Sequence, residues 1–280
     1  KKVALDILFA AVNQTLQAFA KDPQWRLGGQ PGFILVLHTW SQTLMDHFHL
    51  HCLIPGGVLS FTKDRWISAK DSFLFRVKSL AKEFKKRYLS LFKTLYHKNK
   101  LIFPGNTAIY EPRDKFNHLI QSVSKPKWIT YAKRPFAGPE QVLEYLGRYT
   151  HRIAISNNRI QSIDNGTVIF TYRDRANNNE SKTMALSAGE FIRRFLLHVL
   201  PEGFMKIRYF GFLSSKHKKQ AIPLIRKLIG AKVKLPEKKT ETVIEMLFRL
   251  TGEDITCCPE CKTGKMRTVQ RLTPRYWNST

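Results

Sequence analysis

The sequence predicts an α+β protein of helices and antiparallel strands, and three observations predict it. Apolar residues recur three and four positions apart in two long stretches, at residues 3–20 and 73–100. Short runs that are continuously apolar or strictly alternating lie between and after them. Turn chemistry suited to hairpins, at Asn157-Asn158 and Asp164-Asn165-Gly166, joins several of these runs.

Taken in order, Val3, Ile7, Leu8, Ala11, Val12, Leu16 and Phe19 form a helix stripe, and Asp22-Pro23 ends it. Residues 33–38 are almost purely apolar and read as a strand buried on both faces. Asp46-His47-Phe48-His49-Leu50-His51-Cys52-Leu53 alternates and follows closely enough for antiparallel pairing. Gly56-Gly57 then turns the chain into Val58-Leu59-Ser60-Phe61, with Arg65-Trp66-Ile67 after it. The helix over 73–100 carries Arg76, Lys78, Lys82, Lys85, Lys86, Arg87 and Lys93 with almost no acidic partners, which suits phosphate contact. Residues 128–132 read as a strand closed by Lys133-Arg134-Pro135. Gly138-Pro139-Glu140 opens a helix, with Pro near the first turn and an acid beside the positive end of the dipole. Residues 153–155, 159–163 and 167–172 read as strands. Ser187-Ala188-Gly189-Glu190 fits a capping box for a helix to residue 200, and 207–210 is a short strand. Residues 216–229 form a basic helix, and a short helix spans 242–250. These bounds place a catalytic domain at residues 1–230 and a linker with a short cysteine-containing tail at 231–280.

The 280 residues suffice for a sizeable core. Their 47 Lys+Arg against 21 Asp+Glu leave +26, a charge that calls for a polyanion and most commonly for nucleic acid. No run approaches 18 consecutive apolar residues, so no membrane partner is expected. Four cysteines, three of them at Cys257, Cys258 and Cys261, do not make a disulfide framework, and the expected location is the cytoplasm. The chain opens on Lys1 directly into helical periodicity, from which a missing natural start is expected.

Two constellations carry chemistry. The strand period puts His47, His49 and His51 on one face, with Phe48, Leu50 and Cys52 on the other, toward the core. Two imidazoles two residues apart on a strand can reach one divalent ion. About a hundred residues later, Tyr145 and Tyr149 stand at i and i+4 of a helix, among Arg148, His151 and Arg152. A cation or metal beside a phenol favours the phenolate and makes it a nucleophile. Together they suggest phosphodiester cleavage by tyrosine, with a metal polarising the phosphate. The covalent phosphotyrosine keeps the bond energy, which serves strand transfer better than hydrolysis.

The runs Leu37-His38-Thr39-Trp40-Ser41-Gln42 and His47-Phe48-His49-Leu50-His51-Cys52-Leu53-Ile54-Pro55-Gly56-Gly57 resemble the two-tyrosine rolling-circle transposases of bacterial insertion sequences, the insertion sequence 91 family. So do Tyr145-Leu146-Gly147-Arg148-Tyr149-Thr150-His151-Arg152, the stretch from Leu186 to Pro201, and Ile207-Arg208-Tyr209-Phe210-Gly211-Phe212-Leu213. The resemblance covers residues 5–230, with Cys258-Pro259-Glu260-Cys261 trailing. It implies the His-hydrophobic-His nuclease fold, an antiparallel sheet flanked by helices with histidines on a central strand and tyrosines on a helix across from it. It implies nicking and joining of single-stranded DNA at element ends with Mg²⁺ or Mn²⁺, in a bacterial, nucleoid-associated protein in which self-association is open. Carried over, His49 and His51 are metal ligands, and Tyr145 and Tyr149 are nucleophiles for two successive exchanges. A third ligand is expected from a neighbouring position, with Gln42 the choice and His47 the alternative; His38 reads equally as a packed strand residue. Arg148, His151 and Arg152 are expected to contact DNA. Family members begin with a Cys/His-rich zinc module and a first sheet strand, and this chain shows neither at its start.

Cys258 and Cys261 have zinc-knuckle spacing but form half a site, so Zn²⁺ and free thiols both stay open. Trp40, Trp66, Trp128 and Phe136 are candidates to stack bases. The alternative functions are a truncated, catalytically inactive DNA-binding remnant of such a transposase, and an RNA-binding protein of the translation machinery, which explains the charge but not the two constellations.

Overall fold

Strand β2 (Gly32–Trp40) organises the fold, because its alternate residues face two different environments. The structure is a computed structural model. It describes all residues except 23–26, 70–73, 137, 151–153, 175, 233–240, 268 and 270–280, and of 148–150 it describes the backbone alone. Residues Lys1–Ala231 form one compact unit and Lys232–Thr280 a second.

Phe33, Leu35 and Leu37 of β2 are fully buried against helix α1 (Lys2–Lys21), which contributes Leu5, Phe9, Leu16 and Phe19. Burial of such side chains contributes roughly 1.5–3 kcal/mol each. The α1 helix has a mean hydropathy of 1.3, long and apolar enough by length and composition to cross a membrane, yet its apolar side is committed to this core. On either side of β2 lie the antiparallel strands β3 (Asp46–Leu53) and β9 (Ile207–Gly211), so the histidine strand is an edge of this sheet among the described residues. Arg208 of β9 lies 4.1 Å from the Phe9 ring and pairs with Asp6 at 2.5 Å, tying the sheet to α1. Gly211 ends β9 at φ +59°, and a Cβ there would overlap the Pro31 carbonyl oxygen, so only glycine lets this strand close on the start of β2.

The α+β expectation holds, and among the described residues every paired strand is antiparallel, but the strands fall into three small sheets. The second sheet joins β1 (Gly29–Gln30), β4 (Gly57–Ser60) and β5 (Trp66–Ser68). The third is a meander of β6 (Ile160–Asp164), β7 (Thr167–Asp174) and β8 (Glu180–Ser187). The β6–β7 turn uses Asn165 at φ +44° and Gly166 at φ +72°, as its sequence predicts. Helix α5 (Ala188–Leu196) packs Phe191 on Phe170 of this sheet, and Phe170 clusters with Trp40 at the end of β2 and with Leu44 beyond it. Helices α2 (Val77–His97) and α3 (Arg113–Ser124) share a cluster of Leu89, Phe116 and Ile120. Helices α4 (Pro139–Thr150), α6 (Lys218–Leu228) and, in the second unit, α7 (Val243–Thr251) complete the order.

Three local readings differ. Residues 128–132 form no strand. The Trp128 ring is held 5.5 Å from Phe84, its Nε1 donates to the Val123 carbonyl, and Thr130 donates to the Val77 carbonyl. Anchored to two helices in this way, the segment leaves Ile129 and Tyr131 exposed and finds no strand partner among the described residues. The strand expected at 153–155 lies partly outside the described residues, and Ala154 at φ +53° ends any extended run. Asn157-Asn158 starts a 3₁₀ turn that leads into β6.

Candidate metal and nucleophile site

The β2–β3 hairpin sets the site through its register. His38 pairs with His49 and Val36 with His51, so all three imidazoles lie on the face opposite α1. His38 Nδ1 stands 3.2 Å from His49 Nε2, which stands 3.1 Å from His51 Nε2. The three donor atoms lie within 4.8 Å of one another. A shell with bonds of about 2.1 Å at right angles spaces neighbouring donors about 3 Å apart. Two of the three spacings therefore match neighbouring donors of such a shell, and three imidazoles this close could hold a divalent ion.

The protons are placed to suit that role. His49 Nδ1 is 2.7 Å from the His47 carbonyl oxygen, which can only accept. The ring must therefore donate from Nδ1, and its Nε2 lone pair faces the cluster. His38 is half-buried, and burial, then the neighbouring His49 and His51, push its pKa down to about 3. It stays neutral, and so able to offer a lone pair to a cation, throughout the physiological range.

The outer nitrogen of His51 reaches helix α4. Its Nδ1 is 2.8 Å from the Tyr145 hydroxyl. When His51 offers Nε2 to a cation, Nδ1 carries the proton and donates to the phenol oxygen. Phe136 packs on the Tyr145 ring at 5.3 Å, and Lys133 Nζ lies 6.0 Å over the ring. Lys206 Nζ lies 5.2 Å over the Trp40 ring, which packs on His38 at 4.0 Å. An open groove of about 2180 Å³ runs past His38, His49, His51, Tyr145, Lys133 and Arg134.

The expected residues divide clearly. His49, His51 and Tyr145 come together. Gln42 instead serves the third sheet: its carbonyl accepts from Arg159, and its side-chain oxygen accepts from the Arg173 amide at 3.4 Å. His47 is exposed and contributes its carbonyl to His49. In the third position stands His38. Its signal was the hairpin itself, since any tight turn centred between Thr43 and Leu44 pairs residue 38 with 49. The side chains of Arg148 and Tyr149 lie outside the described residues, as do His151 and Arg152 altogether. Of the aromatic candidates, Trp128 packs with α2 and Trp66 on Phe212, so both serve packing.

Cys52 packs against the main core, where burial pushes its thiol up to about 12. In the second unit, Cys258 and Cys261 share one tight hairpin. Amide donation from Thr263 and then Gly264 brings the Cys261 thiol down to about 7.

Residues 32–221 match a family model described as "Putative transposase". The whole chain is 41% identical over 287 residues to "Putative transposase y4qJ" of Sinorhizobium fredii and spans 72% of that protein. Over 79% of its length, the chain is 27% identical to "Transposase for insertion sequence element IS801" of Pseudomonas savastanoi pv. phaseolicola, of which it spans 52%. No solved structure matches the chain.

Proposed function

Because the chain belongs to the transposase family whose model spans its residues 32–221, we propose that it nicks and rejoins single-stranded DNA at element ends, as in rolling-circle transposition. Tyr145 and Tyr149 are the nucleophiles, and His38, His49 and His51 hold Mg²⁺ or Mn²⁺. One observation carries this reading: the Tyr145 hydroxyl sits 2.8 Å from His51 Nδ1 while the other nitrogen of that ring faces the histidine cluster.

When bound, the cation supplies Lewis-acid polarisation of the scissile phosphate. The remaining work falls to the chain. His51 Nδ1–H donates to the Tyr145 oxygen, which favours phenolate over phenol. Lys133 adds positive charge over the ring, and Phe136 fixes its direction. The phenolate oxygen attacks phosphorus. A bond from tyrosine to phosphorus forms as the bond to the 3′ oxygen breaks. The phenol proton passes to solvent in the open groove, and the departing 3′ oxygen takes one up. The product is a 5′-phosphotyrosine, which the 3′-hydroxyl of another strand can attack to release the phenol and rejoin DNA. Tyr149, one helical turn further along α4, serves the second exchange, and Arg148, His151 and Arg152, its near neighbours in sequence, bind phosphates.

The test is a denaturing gel after incubation with single-stranded oligonucleotides from element ends and Mn²⁺. A covalent adduct that EDTA prevents, and that the Tyr145→Phe, Tyr149→Phe double change abolishes, is expected. An adduct surviving the double change refutes the assignment of nucleophiles. Salt-sensitive binding with no adduct, indifferent to EDTA and to His49→Ala, would make the chain a DNA-binding remnant instead.

A further inference from the structure

The second unit holds a small hairpin built around two thiols. Cys257 and Lys265 form an antiparallel bridge, the Cys258 amide donates to the Gly264 carbonyl at 2.7 Å, and the Met266 amide donates to the Thr256 carbonyl at 2.6 Å. Lys262 turns the chain at φ +58°, and its amide donates to the Cys258 carbonyl. The Gly264 amide then donates to Cys261 Sγ at 3.3 Å. A Cβ on Gly264 would crowd that sulfur at 3.2 Å, so the glycine lets the amide approach. An amide aimed at sulfur favours the thiolate, which is the form that binds zinc. Cys257 stands apart from this pair, its sulfur 3.4 Å from the Asp254 carboxylate.

Two thiolates fill half of a tetrahedron. The only cluster of three or more candidate metal-donor side chains among the described residues is the histidine triad. A second feature of the same unit is also incomplete. Helix α7 is fully formed, with a capping box at Thr242 and Glu245 and a left-handed Gly252 at its end, yet it buries no residue. Val243, Ile244, Phe248 and Leu250 are all exposed.

We propose that Cys258 and Cys261 are half of a tetrathiolate Zn²⁺ site, completed by the same two residues of a second copy of this chain. A two-fold axis through the ion supplies two symmetry-related pairs of thiolates, and the exposed apolar face of α7 in the same unit offers further surface for the second copy to cover.

Co²⁺ added to the full chain tests this, because thiolate-to-cobalt charge-transfer absorption is blind to the histidine site. In the chain carrying His49→Ala and His51→Ala, where the imidazole site no longer takes up cobalt, the band is expected to saturate at half an equivalent of Co²⁺ per chain and to be displaced by Zn²⁺. Light scattering is expected to show a dimer that EDTA converts to monomer. His49→Ala with His51→Ala keeps the band, and so does Cys257→Ser. Cys258→Ser with Cys261→Ser loses band and dimer together at an unchanged circular dichroism spectrum. Cys258→His restores a weaker complex, which separates lost ligation from lost folding. Absence of the band overturns the site. A band saturating at one equivalent on a monomer overturns the second copy, as does a dimer that survives both EDTA and the double serine change.

Discussion

On the proposed assignment, replacing His38 by Leu removes a ligand while disturbing little else. The Leu side chain fills most of the imidazole's place against Trp40, whose ring lies 4.0 Å away. Because burial holds His38 neutral, with a pKa of about 3, the change alters no charge at pH 7. Any loss of cation binding therefore reports ligation rather than field. Removing a partner that merely orients a ligand weakens a metal site by about 10–100-fold, and removing a ligand itself should cost at least the upper end, about 100-fold or roughly 2.7 kcal/mol. Gln42→Ala deletes one long acceptor to the Arg173 amide, and its expected effect on the cation is below about 3-fold, under roughly 0.7 kcal/mol. His47→Ala keeps the carbonyl that orients His49, so it belongs with Gln42→Ala. Titration of Mn²⁺ by calorimetry on the three variants decides the matter. Wild-type affinity in His38→Leu, or a 100-fold loss in Gln42→Ala, would refute the reasoning that assigns the third position.

Three further outcomes follow from the same structure. Cys52 keeps its proton in the fold up to about 12 against an ordinary 9.0, so its contribution is fully present below pH 9 and is lost as pH rises toward 12. By pH 10.5 that amounts to about 2 kcal/mol, and urea melts of wild type and Cys52→Ala at pH 8 and 10.5 should differ by this slope. Gly211→Ala must place a Cβ on the Pro31 carbonyl at positive φ, and a loss of about 2 kcal/mol or more in chemical denaturation is expected. Binding of single-stranded DNA should weaken with salt at a log–log slope of about −4 to −7 if about six to ten phosphates are neutralised; a flat salt response would count against a phosphate-tracking surface.

The sequence made parts of this fold legible because the signal there is local. The period of α1, the apolar run of β2 and the Asn165-Gly166 turn each depend on residues within a few positions of one another. Strand β8 escaped because Met184 and Leu186 alternate with polar residues on a half-exposed meander, and α3 because its apolar face is only Phe116 and Ile120 deep. Residues 128–132 carry a strand's composition, but the Trp128 ring and the Thr130 hydroxyl are spent on α2 and α3. Side-chain anchoring overrode propensity there, and no local pattern announces it. In the site, His49 and His51 follow from period two alone. His38 required pairing across a turn, a non-local fact that becomes local only once the hairpin register is assumed.

That register also changes the chemistry expected of the centre. With Gln42 in the third position the site would have offered one amide oxygen and two imidazoles, a mixed set suited to a hard ion. With His38 it offers three neutral nitrogens. Imidazole favours the later first-row ions, whereas Mg²⁺ prefers oxygen and gives up its water reluctantly. Mn²⁺ tolerates both, so it should support adduct formation at lower concentration than Mg²⁺. In the proposed reaction the same three rings also govern Tyr145. A cation on His51 Nε2 fixes the proton on Nδ1, and that proton is the one donated to Tyr145 2.8 Å away. Loss of the cation frees His51 to adopt the other tautomer and accept from the phenol, which favours the protonated, unreactive form. In the proposed reaction the histidine strand thus acts on the tyrosine as well as on the phosphate, and cation binding is expected to favour the phenolate of Tyr145. Ultraviolet difference titration of Tyr145 with and without Mn²⁺ reads that shift, and a pKa indifferent to the cation would leave the His51 bridge with no part in activation.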